Sequence, residues 1–251
     1  MTNIQNIKPH WFQKSINHLR EQVFPPRCLF CQHPLNVDGC CETCLASIRP
    51  FPHDTCKQCA TPLSHALAPG PCGHCLIHPP AQFETHAIYR YQGAVRDAIL
   101  AWKLQGEDAG VRWLVESASP YLKGLLHKHD TLIPIPMPLS RMRQHGQHHS
   151  ADLCRLMAKK VACHWDWHIL RRQGEQMRQS ALPAKQRRKN LRKAFMLNQD
   201  YWAKQHDTRG KLWLVDDIIT TGSTMYFAAK ALRATGLPVH VLSLSKTIQG
   251  D

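Results

Sequence analysis

The stretch KLWLVDDIITTGSTMYFAAKALRATG, at residues 211–236, decides the fold of this chain. Its apolar run at 212–215 has the length and composition of a strand that is buried on both faces. Asp216 and Asp217 follow, where such a strand would leave the sheet. Four hydroxyl residues around a glycine then open an apolar-faced helix: Thr220, Thr221, Gly222, Ser223 and Thr224. The stretch therefore predicts a strand, a carboxylate pair, a loop and a helix in succession.

The loop and the carboxylate pair suit different parts of one sugar phosphate. A loop of small residues at a helix N-terminus directs free backbone N–H groups and the positive end of the helix dipole at one place, which favours a phosphate. Its hydroxyls add hydrogen-bond donors, and Gly222 allows a close backbone approach. Ionised Asp only accepts hydrogen bonds, so Asp216 and Asp217 suit the vicinal hydroxyls of a ribose.

This order of features resembles the phosphoribosyl pyrophosphate (PRPP) loop of type I phosphoribosyltransferases. The resemblance implies that Asp216 and Asp217 hold the ribose and that the loop from Thr220 to Thr224 holds its 5-phosphate. Magnesium would accompany PRPP. The structural alternative is an ordinary strand, turn and helix with an acidic turn.

Cysteines form the second strong pattern. Nine of the 11 cysteines lie between Cys28 and Cys75, and eight of these form pairs separated by two residues. A pair with this spacing presents two thiolates to one tetrahedral ion, and two pairs complete a closed structural zinc site. The predicted ligands of two zinc ions are Cys28, Cys31, Cys41 and Cys44, and Cys56, Cys59, Cys72 and Cys75.

Several alternatives remain open for this region. Pairing of neighbouring pairs needs short loop closures and is favoured over a cross-braced arrangement. Cys40 could replace Cys41 as a ligand, although the spacing to Cys44 favours Cys41. A redox dithiol or an iron–sulfur cluster is the alternative to zinc. Few apolar residues surround the cysteines, so the segment is expected to need its metal to fold.

Composition limits the class of protein. The chain of 251 residues has a formal net charge of +14, which favours a polyanionic partner and nucleic acid in particular. It contains no apolar run of transmembrane length. The first residues lack the pattern of a signal peptide, and paired cysteines without an export signal favour the cytosol. Nine Arg or Lys residues lie between Arg171 and Lys193.

The chain divides into three predicted segments: an N-terminal amphipathic helix at 1–24, a double zinc-ribbon module at 25–80 and a phosphoribosyltransferase-like domain at 81–251. In the last segment, strands are predicted at 83–91, 132–136, 165–170, 194–197, 212–215 and 239–244, and helices at 93–104, 108–127 and 150–162. This alternation predicts a Rossmann-like α/β domain with a mostly parallel sheet and its ligand at the carboxyl ends of the strands.

Over nearly its whole length the chain is similar to the ComF family of bacterial competence proteins, which includes the GntX-type proteins. The similarity includes YQGAVRDAILAWKLQG at 91–106, IPIPMPL at 133–139 and the spacing of Gln179, Leu182, Arg187, Asn190, Ala194 and Phe195. The stretch RMRQHGQHH at 141–149 departs from the usual family pattern, as does Arg178 in place of proline. The resemblance implies a cytosolic role in natural transformation, handling incoming single-stranded DNA.

Three functional hypotheses follow. The first is a competence protein that binds PRPP and single-stranded DNA, with Trp102, Trp113, Trp165 and Trp167 as possible stacking platforms. The second is a phosphoribosyltransferase that releases pyrophosphate from PRPP, for which no general base stands out. The third is an adaptor whose zinc module docks a helicase or another uptake protein. The candidate cations for pyrophosphate or nucleic acid are Lys103, Arg141, Arg143, Arg187, Arg188 and Lys189.

Overall fold

A computed structural model describes residues 26–63 except 38, 70–173 except 139, 141, 144 and 145, 193–204 and 210–248. The helix predicted at 1–24 and most of the basic stretch between Arg171 and Lys193 lie outside these residues.

A parallel five-stranded sheet forms the centre of the molecule, with the strand order β1-β7-β6-β2-β3. Its strands are β1 Glu84–Arg90, β2 Thr131–Pro134, β3 His164–Trp165, β6 Leu212–Ile219 and β7 Val239–Lys246. A separate antiparallel pair joins β4 Leu170–Arg172 to β5 Phe195–Leu197. The prediction of an α/β fold with a mostly parallel sheet is confirmed.

Eight α-helices lie wholly within the described residues. The cysteine-rich part contains α1 Glu42–Ser47 and α2 Gly73–Ile77. The rest are α3 Gly93–Gln105, α4 Ala109–Ser117, α5 Ser119–Leu125, α6 His149–Val161, α7 Gln199–Trp202 and α8 Ser223–Leu232, the last followed by a 3-10 turn at Arg233–Thr235. No helix in these described ranges is both long and apolar enough to cross a membrane.

Two apolar cores lie on opposite faces of the sheet. On one face, Trp213 and Val215 of β6 pack with α3, α4, α5 and α6. On the other, Leu212 and Leu214 pack with α8 and the β4–β5 pair. This alternation follows from the period of two along a strand and explains why the apolar run of β6 is continuous. The carboxyl end of β6 is thereby held between two helical layers.

The edge strand β1 is covered by the segment that joins the two cysteine groups. Phe51 N–H donates to the Ile88 carbonyl at 2.8 Å, and Arg90 N–H donates to the Arg49 carbonyl at 2.9 Å. Pro50 and Tyr89 form an antiparallel bridge between these bonds. The segment therefore continues the sheet beyond its last parallel strand.

Three predicted elements differ in the structure. The helix expected at 108–127 is divided at Ala118, because Pro120 lies in the first turn of α5 and cannot continue the preceding helix. The strand expected at 165–170 is divided into β3 and β4, because His168 N–H bonds the Asp166 carboxylate at 2.8 Å and turns the chain. Strand β6 is four residues longer than the predicted end at Val215.

Candidate functional site

The cysteines form two groups of four whose sulfur atoms lie within 4.8 Å of one another. The groups combine neighbouring pairs, as the spacing predicts, and the first contains Cys41 and not Cys40. Sulfur ligands about 2.3 Å from a tetrahedral zinc ion are about 3.8 Å apart. The distance is 3.7 Å between Cys31 and Cys41 and 3.8 Å between Cys59 and Cys72. Both groups therefore fit a structural zinc ion.

The two cysteine groups differ in how they contact the rest of the protein. Cys28 and Phe30 of the first belong to the main apolar core, and the Phe30 ring meets Trp113 edge to face at 5.6 Å. Ser47 at the end of α1 accepts a 3.0 Å hydrogen bond from Ala94 N–H at the start of α3. The buried apolar cluster beside the second group is small and consists of Phe51, Ala60 and Ala87. Among the described residues, the first group is thus the more deeply integrated.

The carboxylate pair lies within β6 and not after it. Asp216 pairs in register with Ser243 of β7, and the Asp217 carbonyl accepts a 3.0 Å bond from Ser245 Oγ. The backbone therefore continues the sheet through both acidic residues, and their side chains are partly withdrawn from water. Because strand pairing fixes their backbone, these carboxylates are held more rigidly than carboxylates in a turn.

Asp217 forms an ion pair with Lys103 of α3. The Lys103 Nζ atom is 2.8 Å from Asp217 Oδ1 and 2.7 Å from Oδ2. Asp217 is only 5% exposed, so the pair supplies the counter-charge that a buried carboxylate needs. Lys103, predicted as a cation for pyrophosphate or nucleic acid, thus lies directly beside the carboxylate pair.

Asp216 has a different environment. Its Oδ1 atom accepts hydrogen bonds from Ser150 Oγ at 2.9 Å and from Asp217 N–H at 3.0 Å. Burial, followed by the charge of Asp217, raises the pKa of Asp216 to about 7, although Lys103 and Ser150 oppose the shift. The neighbouring His149 packs edge to face on Trp102 at 4.7 Å, and burial lowers its pKa. Asp216 therefore changes charge near neutral pH.

We expect Asp216 to make the fold more stable at pH 5 than at pH 8. Its pKa is higher in the folded chain, at about 7, than the usual value for Asp of about 3.9. Between these values the folded state holds a proton that the unfolded state has lost, so this contribution disappears as pH rises through about 7. Urea unfolding of wild type and Asp216→Asn at both pH values checks this. From pH 5 to pH 8, the free energy of unfolding should decrease less in the variant than in wild type, by on the order of a few kcal/mol. Equal decreases in the two proteins would contradict the assignment.

The hydroxyl loop joins β6 to α8. Gly222 has φ +72°, in the left-handed region that favours glycine, and serves as the N-cap of α8. Thr221 Oγ1 and Ser223 Oγ are 3.1 Å apart, and Thr220 and Thr221 are exposed. The first N–H groups of an α-helix have no acceptor within the helix. The loop and the first turn of α8 therefore offer both hydroxyl and backbone donors to an anion.

A cleft of about 1020 Å³ separates the hydroxyl loop from the second cysteine group. Residues 220–223 line one side, with Tyr226 and Phe227 of α8 beside them, and Cys59, Cys72 and Cys75 line the other. Lys246, at the end of β7, also lines the cleft. The sequence did not indicate Lys246, Ser150 or His149 as site residues, because nothing in their local patterns marks them.

Among the remaining predicted cations and aromatic residues, the structure describes Arg143 and the four tryptophans. Arg143 is exposed, whereas Arg141, Arg187, Arg188 and Lys189 lie outside the described residues. Trp102 is buried and cannot serve as a stacking platform, and Trp113 packs on Phe30. Trp165 and Trp167 are 37% and 49% exposed and keep accessible ring surface.

Comparison with known proteins accounts for the combination of cysteine groups and α/β sheet. The double zinc ribbon domain family matches residues 19–76. DNA utilization protein YhgH of Escherichia coli is 28% identical over 232 residues, which cover 89% of this chain and 98% of that protein. Competence protein F of Haemophilus influenzae is 29% identical over 221 residues, which cover 84% of this chain and 92% of that protein. Over most of its length the chain is therefore similar to proteins named for competence and DNA utilization.

A third relative shows the same similarity at lower identity. Competence protein ComFC of Bacillus subtilis is 22% identical over 214 residues, or 82% of each chain. The alignments are much longer than the zinc-ribbon match, so the similarity to ComF-type proteins includes most of the α/β sheet. The predicted resemblance to the ComF family is confirmed.

Proposed function

We propose that this protein acts in DNA uptake during natural transformation, in the cytosol, and binds PRPP or a related sugar phosphate at the β6–α8 unit. The observation that carries the proposal is the succession of Asp216, Asp217 and the hydroxyl loop at the carboxyl end of a central parallel strand. Ligands of open α/β sheets bind at this end of the strands. The names of the relatives, which refer to competence and DNA utilization, support the role in DNA uptake.

The described contacts are compatible with a ribose at the carboxylate pair. Asp216 Oδ1 already accepts two hydrogen bonds, which leaves its second oxygen for a ribose hydroxyl. Asp217 is fixed by Lys103, so a ribose that approaches meets a prearranged acceptor. Mg²⁺ is held in proteins by one or two carboxylates together with substrate phosphates, and it would neutralise the charge of pyrophosphate. We therefore expect Mg²⁺ to bind together with PRPP.

Calorimetry with PRPP and Mg²⁺ tests the first part, and an assay for pyrophosphate release distinguishes binding from turnover. We expect PRPP to bind, and the same samples with free bases or single-stranded DNA show whether an acceptor displaces pyrophosphate. Release that depends on an acceptor would make the protein a phosphoribosyltransferase, the alternative function. Absence of PRPP binding would overturn the sugar-phosphate proposal.

Single-stranded DNA is the second proposed ligand, and its binding should depend steeply on salt. For single strands the slope of log affinity against log salt is about −0.7 per neutralised phosphate, so four to six contacts give roughly −3 to −4. Charge reversal at Arg187, Arg188 and Lys189 should flatten this slope by about 2 units, since three contacts are lost. Fluorescence anisotropy with labelled oligo-dT over a salt series measures the slope.

The control is the same change of charge at exposed positions elsewhere, namely Lys123, Lys128 and Lys159. In this variant the slope of log affinity against log salt should stay close to that of wild type. If the two variants behave alike, the basic stretch is not the contact surface. If wild type does not bind oligo-dT at low salt, the nucleic-acid proposal is wrong.

A further inference from the structure

The cysteine-rich module and the β6–α8 unit, which are far apart in the sequence, meet at one cleft. The cleft between the hydroxyl loop and the second cysteine group has a volume of about 1020 Å³, which is ample for a sugar phosphate. The ribbon side includes His74 and His78, whose rings are 5.4 Å apart, together with Pro79 and Pro80. None of the described lining residues is an Asp or Glu. The cleft thus offers hydrogen-bond donors and Lys246 without an opposing carboxylate among its described lining.

Lys246 is placed beside the loop by strand pairing. It is the last residue of β7 and pairs in register with Ile219, the last residue of β6. The next N–H group, from Thr247, donates to the Ile219 carbonyl at 3.0 Å. Because the hydroxyl loop starts at Thr220, the two strands bring Lys246 and the loop to the same edge of the sheet.

Lys246 is largely buried where it lines the cleft. The residue is 8% exposed and lines the cleft, and no carboxylate in the described parts of the chain pairs with its ammonium group. A buried ammonium without a hydrogen-bonded counter-charge is costly. Cys59 acts on it electrostatically, and a zinc ion with four thiolates is net negative. A phosphate in the cleft would supply the missing direct partner.

We propose that the second cysteine group forms the wall of the sugar-phosphate site opposite the hydroxyl loop, and that Lys246 and the loop bind the same phosphate group. This inference rests on the proposed function and assigns a ligand-binding role to the zinc module. The ligand chemistry is a sugar 5-phosphate, which free PRPP and the 5′-phosphorylated end of a DNA strand share.

The test compares Lys246→Met, which removes the charge, with Lys246→Arg, which keeps it. Lys230→Met is the matched control, because Lys230 is exposed on α8 and does not line the cleft. Binding of PRPP with Mg²⁺ is measured by calorimetry, and zinc content is measured on the same samples. Oligo-dT with a 5′-phosphate and oligo-dT with a 5′-hydroxyl distinguish the two sources of the phosphate.

We expect Lys246→Met to bind PRPP at least tenfold more weakly with both zinc ions retained. Lys246→Arg should recover most of the affinity, and Lys230→Met should match wild type. If wild type prefers the 5′-phosphorylated oligonucleotide and only Lys246→Met loses that preference, DNA is the source of the phosphate. Affinity of Lys246→Met within twofold of wild type overturns the inference while the proposed function stands. If wild type binds neither PRPP nor the 5′-phosphate, both fail.

A measurement on the wild-type protein covers the case in which Lys246→Met releases zinc. Acetylation of lysines by acetic anhydride is followed by peptide mass spectrometry, with and without PRPP, and Lys230 serves as the internal reference. Protection of Lys246 but not of Lys230 supports the inference. Equal acetylation of Lys246 with and without PRPP shows that it has only a structural role beside Cys59, which overturns the inference.

Discussion

Replacing Cys56 with serine should reduce the zinc content from two ions to one per chain and unfold the second ribbon. Zinc binding contributes about 10–16 kcal/mol to the folding of zinc-finger peptides, and losing one of four thiolates opens the closed site and reduces this contribution. The small cluster of Phe51, Ala60 and Ala87 cannot replace it. Hydrogen exchange should show lost protection at 54–63 and 70–78, while β6 and β7 stay protected because their cores lie elsewhere.

Cys40→Ser is the matched control, since Cys40 adjoins the first four-sulfur group but does not belong to it. It should keep both zinc ions. A further comparison uses Cys28→Ser: Cys28 lies in the main core, so this variant should destabilise the sheet as well. Wild type with zinc near zero, or with iron, would contradict the assignment of the metal. Unchanged zinc in Cys56→Ser would contradict the assignment of the ligand.

Replacing both Asp216 and Asp217 with Asn should weaken PRPP binding by at least tenfold. Asn keeps the shape of the side chain but removes the charged acceptors, and hydrogen bonds to charged groups are worth about 1.5–3 kcal/mol each. Each tenfold change in affinity corresponds to about 1.4 kcal/mol. Loss of Asp217 also leaves Lys103 without its partner, which reduces the prearrangement of the site. Calorimetry with PRPP and Mg²⁺ measures the change.

The control for this pair is Asp97→Asn with Asp108→Asn, which removes the same charge from two ion pairs on the surface. PRPP affinity should not change in this variant. Thermal unfolding of all samples shows whether a loss of PRPP affinity results from a loss of stability. Full PRPP affinity in a folded Asp216→Asn, Asp217→Asn protein would show that the β6–α8 unit has another role.

Local patterns were sufficient to predict β6 and the loop that follows it. The apolar run of β6 and the glycine-containing loop after it are short-range features, and both appear in the structure. Strand β6 extends beyond the predicted end because pairing with Ser243 and Ser245 keeps two acidic residues in the sheet. Such pairing depends on the residues of β7, so the sequence of β6 alone cannot predict it.

The site was only partly predictable because its contacts are distant in the chain. Lys103 meets Asp217 across 114 residues, and Ser150 meets Asp216 across 66. Lys246 acquires its position from the register of β6 and β7. The sequence identified Lys103 as a candidate cation, but its ion-pair partner required the packing of α3 against the sheet.

The segment that joins the two ribbons has a protective role for the sheet that it covers. An open edge strand offers unpaired N–H and C=O groups to a strand of another molecule, and native proteins block such edges. Phe51 and Arg49 occupy those groups of β1, while β3 at the other edge is only two residues long. A fragment that starts after residue 80 would leave β1 open to self-association. Zinc starvation, which loosens the ribbons, would thus become an aggregation hazard for the whole chain.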